Sequence, residues 1–205
     1  LDGVLLSMFG ASYLIGAIPG GYLASCYGCR GLLSFSTSLW AVCMVAAGLS
    51  PTFIMLLISR LILGISESPM FPSMTASLSR WLPTKNRSTA FSFSLVAVPL
   101  SLCLSSLIIP YLITQFSWRW TFFIIAAVTL LWVPLWRFVF TDLPATNRFV
   151  SEDELNVIQQ GSVAVQRPSV DKSVWLRLLS HPALLTNYFA FFVFGYILYF
   201  MMTWL

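Results

Sequence analysis

Phe53-Ile-Met-Leu-Leu-Ile-Ser-Arg60-Leu-Ile-Leu-Gly-Ile-Ser-Glu67-Ser-Pro-Met-Phe-Pro72 is an apolar run interrupted by one base and one acid. Its length predicts a membrane-spanning helix, which needs about 20 mostly apolar residues. An ionisable side chain at membrane depth costs roughly 2.5–3.5 kcal/mol on insertion scales, so Arg60 and Glu67 are functional-site candidates by default. Seven residues are close to two helical turns, so both groups lie on one face, about 10 Å apart along the axis. Such a pair can hold an anion at one level and exchange a proton at the other.

The rest of the chain has the same character. Of its 205 residues 58% are hydrophobic, 16% aromatic and only 9% charged, with a mean hydropathy of +0.85. Soluble domains carry about 25% charged residues, so the chain is an integral membrane protein with little room for a soluble domain. Six apolar segments predict spans at residues 3–25, 32–50, 53–79, 89–113, 120–140 and 182–205. They are too long, and too poor in strict alternation, for barrel strands. The predicted fold class is all-α, a polytopic helical membrane protein.

The basic residues orient it. With the first span running outside to inside, the inner loops hold Arg30, Arg80, Lys85, Arg87, Arg137, Arg148, Arg167, Lys172 and Arg177, nine of the eleven Lys and Arg. Arg119 falls in an outer loop and Arg60 within the membrane. This is a strong positive-inside bias. The net charge of +4 is small, and no nucleic-acid partner is expected. The chain starts at Leu1 close to a span and stops at Leu205 at the end of another. It reads as a segment of a longer protein.

The polar stretch 141–180 is the predicted inner connection. Ser151-Glu-Asp-Glu154 is a capping box opening a short helix that ends at Gln159-Gln-Gly161. Val174-Trp-Leu-Arg-Leu-Leu-Ser-His181 is amphipathic and is expected to lie along the membrane surface. Pro69, Pro72, Pro99, Pro110 and Pro134 lie in or near spans, where prolines kink helices or simply pack.

The first inner loop, Gly21-Tyr-Leu-Ala-Ser-Cys-Tyr-Gly28-Cys-Arg30, resembles the major facilitator signature G-x-x-x-D-R-x-G-R-R, with Ser25 and Cys26 replacing its acid and following base. Arg60-Leu-Ile-Leu-Gly-Ile-Ser-Glu67-Ser-Pro-Met-Phe-Pro72, followed by Ser79-Arg-Trp-Leu-Pro83, resembles the fourth span of that superfamily's anion:cation symporter branch. Phe116-Ser-Trp-Arg-Trp-Thr-Phe122 and Tyr199-Phe-Met-Met-Thr-Trp-Leu205 resemble two later motifs of the same branch. The resemblance covers nearly the whole chain, which would correspond to spans two to seven of twelve.

It implies a secondary transporter that moves a small organic anion, a carboxylate or sugar acid, together with protons by alternating access. Arg60 would hold the anionic group, Glu67 would bind and release the coupling proton, and Tyr13 would face the substrate cavity. Ala17 stands where the branch usually has Gln. Gly21, Gly28 and Arg30 would belong to the gating loop, in which the missing acid weakens or rebuilds a charge relay. Residues 1–140 would form five helices of an N-terminal bundle, 141–181 the cytoplasmic connection and 182–205 the first helix of a C-terminal bundle. The resemblance also implies a monomer in a lipid bilayer, in a bacterial plasma membrane. Phosphate or an amino acid is an alternative substrate, and a structural Arg–Glu pair in a non-transporting protein is an alternative function.

Enzyme chemistry finds no support: no P-loop, Ser-His-Asp set or Gly-rich nucleotide motif is present. Cys26-Tyr-Gly-Cys29 has a spacing used by metal and redox sites, but His181 is the only histidine. No metal and no cofactor are expected. Cys43 and Cys103 are expected in the core.

Overall fold

The computed structural model describes residues 2–161 and 180–204, all helix, turn and loop, with no strand among them. The helices are α1 (Asp2–Tyr27), α2 (Cys29–Leu49), α3 (Phe53–Glu67), α4 (Met70–Trp81), α5 (Arg87–Gln115), α6 (Trp118–Val139), α7 (Glu152–Gly161) and α8 (Pro182–Trp204). Five helical segments are long and apolar enough to cross a membrane: Gly3–Tyr27, Cys29–Leu49, Phe53–Trp81, Thr84–Gln115 and Trp118–Val139. They fall on the first five predicted spans. The sixth falls on α8, 23 residues long. Residues 174–179 of the expected amphipathic segment and the motif side chains at Tyr199 and 202–205 lie outside the described residues.

The chain divides into two units, Leu1–Val165 and Gln166–Leu205. In the first, α1 packs on α3 and α4, α3 on α2, and α2 on α6, while α5 touches α6 and α4. The α1–α3 seam is built from small residues. Ser12, Gly16, Gly20 and Ala24, one per turn, are all buried. In lipid, helices associate through close packing rather than solvent exclusion, which favours such a row. The pairing ascends in step on both helices: positions 9–13 meet Gly64, Gly16 meets Ser68, Gly20 meets Pro69 and Gly21 meets Pro72. The two helices therefore run parallel, as two spans of odd number must. Large apolar side chains point outward along the whole unit, for example Leu14, Ile15 and Leu131, each more than 70% exposed. That surface suits hydrocarbon rather than water.

Local chemistry sets the ends. Thr52 caps α3 by accepting the Met55 N–H at 3.4 Å, and Ser151 caps α7 by accepting the Glu154 N–H at 3.3 Å, as its capping-box sequence predicts. Arg87 closes α4 from outside, its guanidinium donating to the carbonyls of Ser79 at 2.7 Å and Leu82 at 3.0 Å. The third span is broken after Glu67, where Ser68 and Pro69 form a turn before α4. Proline has no N–H to donate four residues back. The carbonyl it deprives, Ile65, accepts the Ser68 hydroxyl at 2.7 Å instead. Pro99, Pro110 and Pro134, by contrast, sit inside uninterrupted helices. Cys43 is buried as expected, but Cys103 is exposed: it lies on α5, which buries none of its residues. In lipid an apolar helix has no need to hide its side chains, so a cysteine there is no marker of a core.

Candidate functional site in the third span

Arg60, Gly64 and Glu67 are spaced four and three residues apart, within about 60° of one another around α3. The Gly64 position is where α1 crosses. A Cβ there would run into the Ser12 hydroxyl and would lie 2.6 Å from the Phe9 carbonyl oxygen and 3.1 Å from the Tyr13 nitrogen. Only glycine permits this approach. The backbone of α1 at Tyr13 therefore meets α3 on the face that carries both charges and at a height between them. Tyr13, Arg60 and Glu67 are each half-buried.

The two charges do not neutralise each other. Among the described residues the one ion pair is Arg80–Asp142, and neither Arg60 nor Glu67 makes a hydrogen bond. Arg60 is instead held against an aromatic ring, its guanidinium carbon 5.9 Å from the centroid of Phe122, within the range of a cation–π contact. Phe122 closes the motif Phe116–Phe122, and sequence reasoning missed its role. The motif was visible, but nothing in it pointed to a side chain on another helix. The link is made by α2, whose Gly48 lies where a Cβ would be 3.2 Å from Phe122 and from the Arg119 carbonyl. This brings the start of α6 alongside the outer part of α3.

The second cluster gathers at the end of the unit carrying Arg30, Arg80 and Arg137. Gly28 links α1 to α2 with φ +81, in the region that favours glycine. A Cβ there would also lie 2.8 Å from the carboxyl carbon of Asp142. Asp142 Oδ1 accepts the N–H of Cys29 at 2.5 Å and of Arg30 at 3.0 Å, and lies 3.7 Å from Arg80. The Arg30 guanidinium donates to the Arg137 carbonyl, and Trp81 Nε1 donates to the Thr141 carbonyl at 3.0 Å. Of the three loop residues named from sequence, Gly28 and Arg30 meet here, while Gly21 lies two turns up α1, where an added Cβ would be 3.5 Å from the Pro72 side chain. Ser25, at the signature acid's position, only donates to the Tyr22 carbonyl at 2.7 Å within its own helix. The carboxylate of this cluster is Asp142. Sequence reasoning placed it only within the inner connection 141–180, and a cap supplied from 113 residues away leaves no local signal.

Neither cluster offers metal ligands: no group of three or more His, Cys, Asp or Glu occurs among the described residues.

A bundle with five helical segments long and apolar enough to cross a bilayer, and with an unpaired base and acid inside one of them, defines a multi-pass membrane protein. The chain belongs to the Major Facilitator Superfamily, whose family model matches residues 1–205. It is 32% identical to "Probable anion transporter 6" of Oryza sativa subsp. japonica over 99% of this chain and 47% of that protein. It is 27% identical to "Hexuronate transporter" of Bacillus subtilis over 98% of this chain and 46% of that protein. A third relative, "Probable galactarate/D-glucarate transporter GarP" of Escherichia coli, is 28% identical over 98% of this chain and 49% of its own length. The chain thus spans about half the length of the curated relatives it matches. These relatives are named as transporters, and they come from a plant as well as from bacteria.

Proposed function

We propose that the protein to which this chain belongs carries a small organic anion across the membrane by alternating access, in symport with protons. The observation that carries this reading is the separation of Arg60 from Glu67 on one helix face, with α1 seated between them at Gly64. A guanidinium without a carboxylate partner, steadied by Phe122, is an anion site waiting for its counter-charge. A carboxyl without a cation partner, next to the helix break at Pro69, is a group whose proton can come and go. Tyr13 lies at the level between them and would contact the bound anion. The anion is a carboxylate or sugar acid, in keeping with relatives named for hexuronate and for galactarate or glucarate. Phosphate and amino acids are the competing substrates.

In the same reading residues 1–140 supply five helices of one bundle, 141–181 the cytoplasmic connection and 182–205 the first helix of the other. Gly21, Gly28 and Arg30 belong to the inner gate, with Asp142 as its acid.

The test uses the full-length protein in proteoliposomes and radiolabelled glucuronate. An inward proton gradient should drive accumulation. Arg60→Ala should abolish uptake, and Glu67→Gln should abolish gradient-driven accumulation while counterflow exchange partly survives. Accumulation by the Glu67→Gln protein equal to that of the unsubstituted protein would remove the proton role; indifference of uptake to Arg60→Ala would remove the anion site.

A further inference from the structure

A second basic site lies far along the chain from Arg60, at the inner end of the unit. A cavity of about 300 Å³ opens there, lined by Arg30, Arg137 and Arg148 with Thr141, Thr146 and Asn147. The arginines come from three places: the start of α2, the last turn of α6 and the connection beyond it. Among the described residues no carboxylate lines the cavity. Asp142, the acid beside the lining residue Thr141, is committed to the N–H groups of Cys29 and Arg30 and to Arg80.

The neutral groups around the cavity are satisfied internally. Thr141 and Thr146 each donate to the Leu143 carbonyl at 2.9 Å, and Asn147 donates to the Val139 carbonyl at 2.9 Å. Of the cations only Arg30 has an internal acceptor among the described residues, the Arg137 carbonyl. Arg30 Nε is buried without a hydrogen-bond partner. Neither Arg137 nor Arg148 has an ion-pair partner among the described residues. Arg148 is positioned by stacking, its guanidinium carbon 3.9 Å from the Phe138 ring centroid and 4.8 Å from that of Phe149. Stacking leaves the edge of the fork, with its N–H donors, open to a ligand.

Three guanidinium groups held around one cavity repel one another unless an anion joins them. One fork saturates a planar carboxylate, whereas a tetrahedral phosphate has oxygens for several. The rim adds a second requirement, because Phe138 and Phe149 are 62% and 59% exposed beside the arginines. A charged pocket bordered by exposed aromatic rings, at the end that the basic residues place in the anionic inner leaflet, matches a headgroup with its acyl chains attached.

We propose that the Arg30–Arg137–Arg148 pocket binds a phosphate-bearing anion, supplied by the headgroup of an anionic phospholipid of the inner leaflet. The site is separate from the transport site, and the proposal does not depend on the substrate carried.

The experiment places the full-length protein in nanodiscs of phosphatidylcholine doped with phosphatidylglycerol and counts retained phosphatidylglycerol by native mass spectrometry. The unsubstituted protein should retain phosphatidylglycerol over phosphatidylcholine. Arg137→Gln with Arg148→Gln should weaken retention by about 30-fold, from roughly five-fold per arginine at a charged membrane surface. Lys85→Gln, the same charge change at an exposed position outside the pocket, should leave retention unchanged. Equal loss with Lys85→Gln, or no preference over phosphatidylcholine, overturns the proposal. A headgroup-photoactivatable phosphatidylglycerol, used on the unsubstituted protein, covers a double variant that fails to fold. Its crosslinks should map to Arg30 and residues 137–148, and crosslinks scattered evenly over the helices overturn the proposal. Inorganic phosphate distinguishes the sources. Binding in pure phosphatidylcholine discs that depends on the arginine pair assigns the pocket to free phosphate, and its absence assigns it to the lipid.

Discussion

Asp142 Oδ1 lies 2.5 Å from the backbone nitrogen of Cys29, so the first turn of α2 is capped by a residue that follows α6. The same oxygen accepts the Arg30 N–H and sits 3.7 Å from Arg80. The relative sizes of these contacts can be separated. A cap and charge-assisted hydrogen bonds to it contribute about 1–3 kcal/mol, while a partly exposed ion pair contributes below about 1 kcal/mol. Asp142→Ala should therefore lower stability in detergent by about 2 kcal/mol. Asp142→Asn, which keeps an acceptor oxygen, and Arg80→Gln should each cost below about 1 kcal/mol. Thermal unfolding of the three variants checks the order; equal losses from Asp142→Ala and Arg80→Gln would show the ion pair to dominate.

Gly28 pairs with the same carboxylate. Gly28→Ala meets two obstacles, a φ of +81 and a Cβ 2.8 Å from the Asp142 carboxyl carbon. Backbone strain of this kind costs about 1–3 kcal/mol. Removing the clash with Asp142→Ala should not restore stability, because the strain persists and the cap is lost. A double-mutant cycle on the unfolding midpoint measures this, and full rescue would contradict it.

Gly64 decides how closely α1 approaches the charged face of α3. Gly64→Ala should cost about 1–3 kcal/mol, as overpacking does, and should depress uptake as α1 is pushed off. Ser12→Gly should fail to rescue it, since the Phe9 carbonyl, 2.6 Å from the added Cβ, is backbone. Gly31→Ala has nothing within 4 Å of the added atom and should be tolerated. Expression, unfolding and uptake of the three proteins give the comparison.

Arg60 leans on Phe122 at 5.9 Å, near the outer limit of a cation–π contact. Phe122→Leu should raise the uptake KM about two- to five-fold, the equivalent of 0.5–1 kcal/mol, and Phe122→Tyr should leave it close to the original. Arg60→Lys keeps the charge but loses the planar fork, so its effect should exceed that of Phe122→Leu. A larger loss from Phe122→Leu than from Arg60→Lys would mean that the ring, not the cation, meets the anion.

Much of this arrangement was legible in the chain because it is local. The interval from Arg60 to Glu67 places them on one face by helical arithmetic, and six apolar runs predict spans that all fall on helices, five of them long and apolar enough to cross a membrane. Ser151 and Glu154 announce their own helix start. Long-range relations left no such mark. Phe122 reaches Arg60 only because Gly48 lets α6 lie against α2, and Asp142 caps a helix that begins 113 residues earlier. Proline was ambiguous for a related reason. Pro69 breaks its span while Pro99, Pro110 and Pro134 do not, and the motif around it marked no break. Cys103 shows the limit of burial reasoning, because an apolar solvent removes the pressure that hides such residues in water-soluble proteins.

The row Ser12, Gly16, Gly20 and Ala24 gives α1 two unequal sides. Along that row a Cβ added at Gly16 or Gly20 presses on Ser68 or Pro69, in the turn between α3 and α4, whereas Leu14, Ile15, Ile18 and Tyr22 are all more than half exposed. A saturation scan of α1 should therefore read as a four-beat rhythm, with bulky residues rejected at every fourth position and accepted between. Natural variation in this helix would be channelled in the same way: free to adapt to the surrounding lipid, and fixed where the bundle holds itself together.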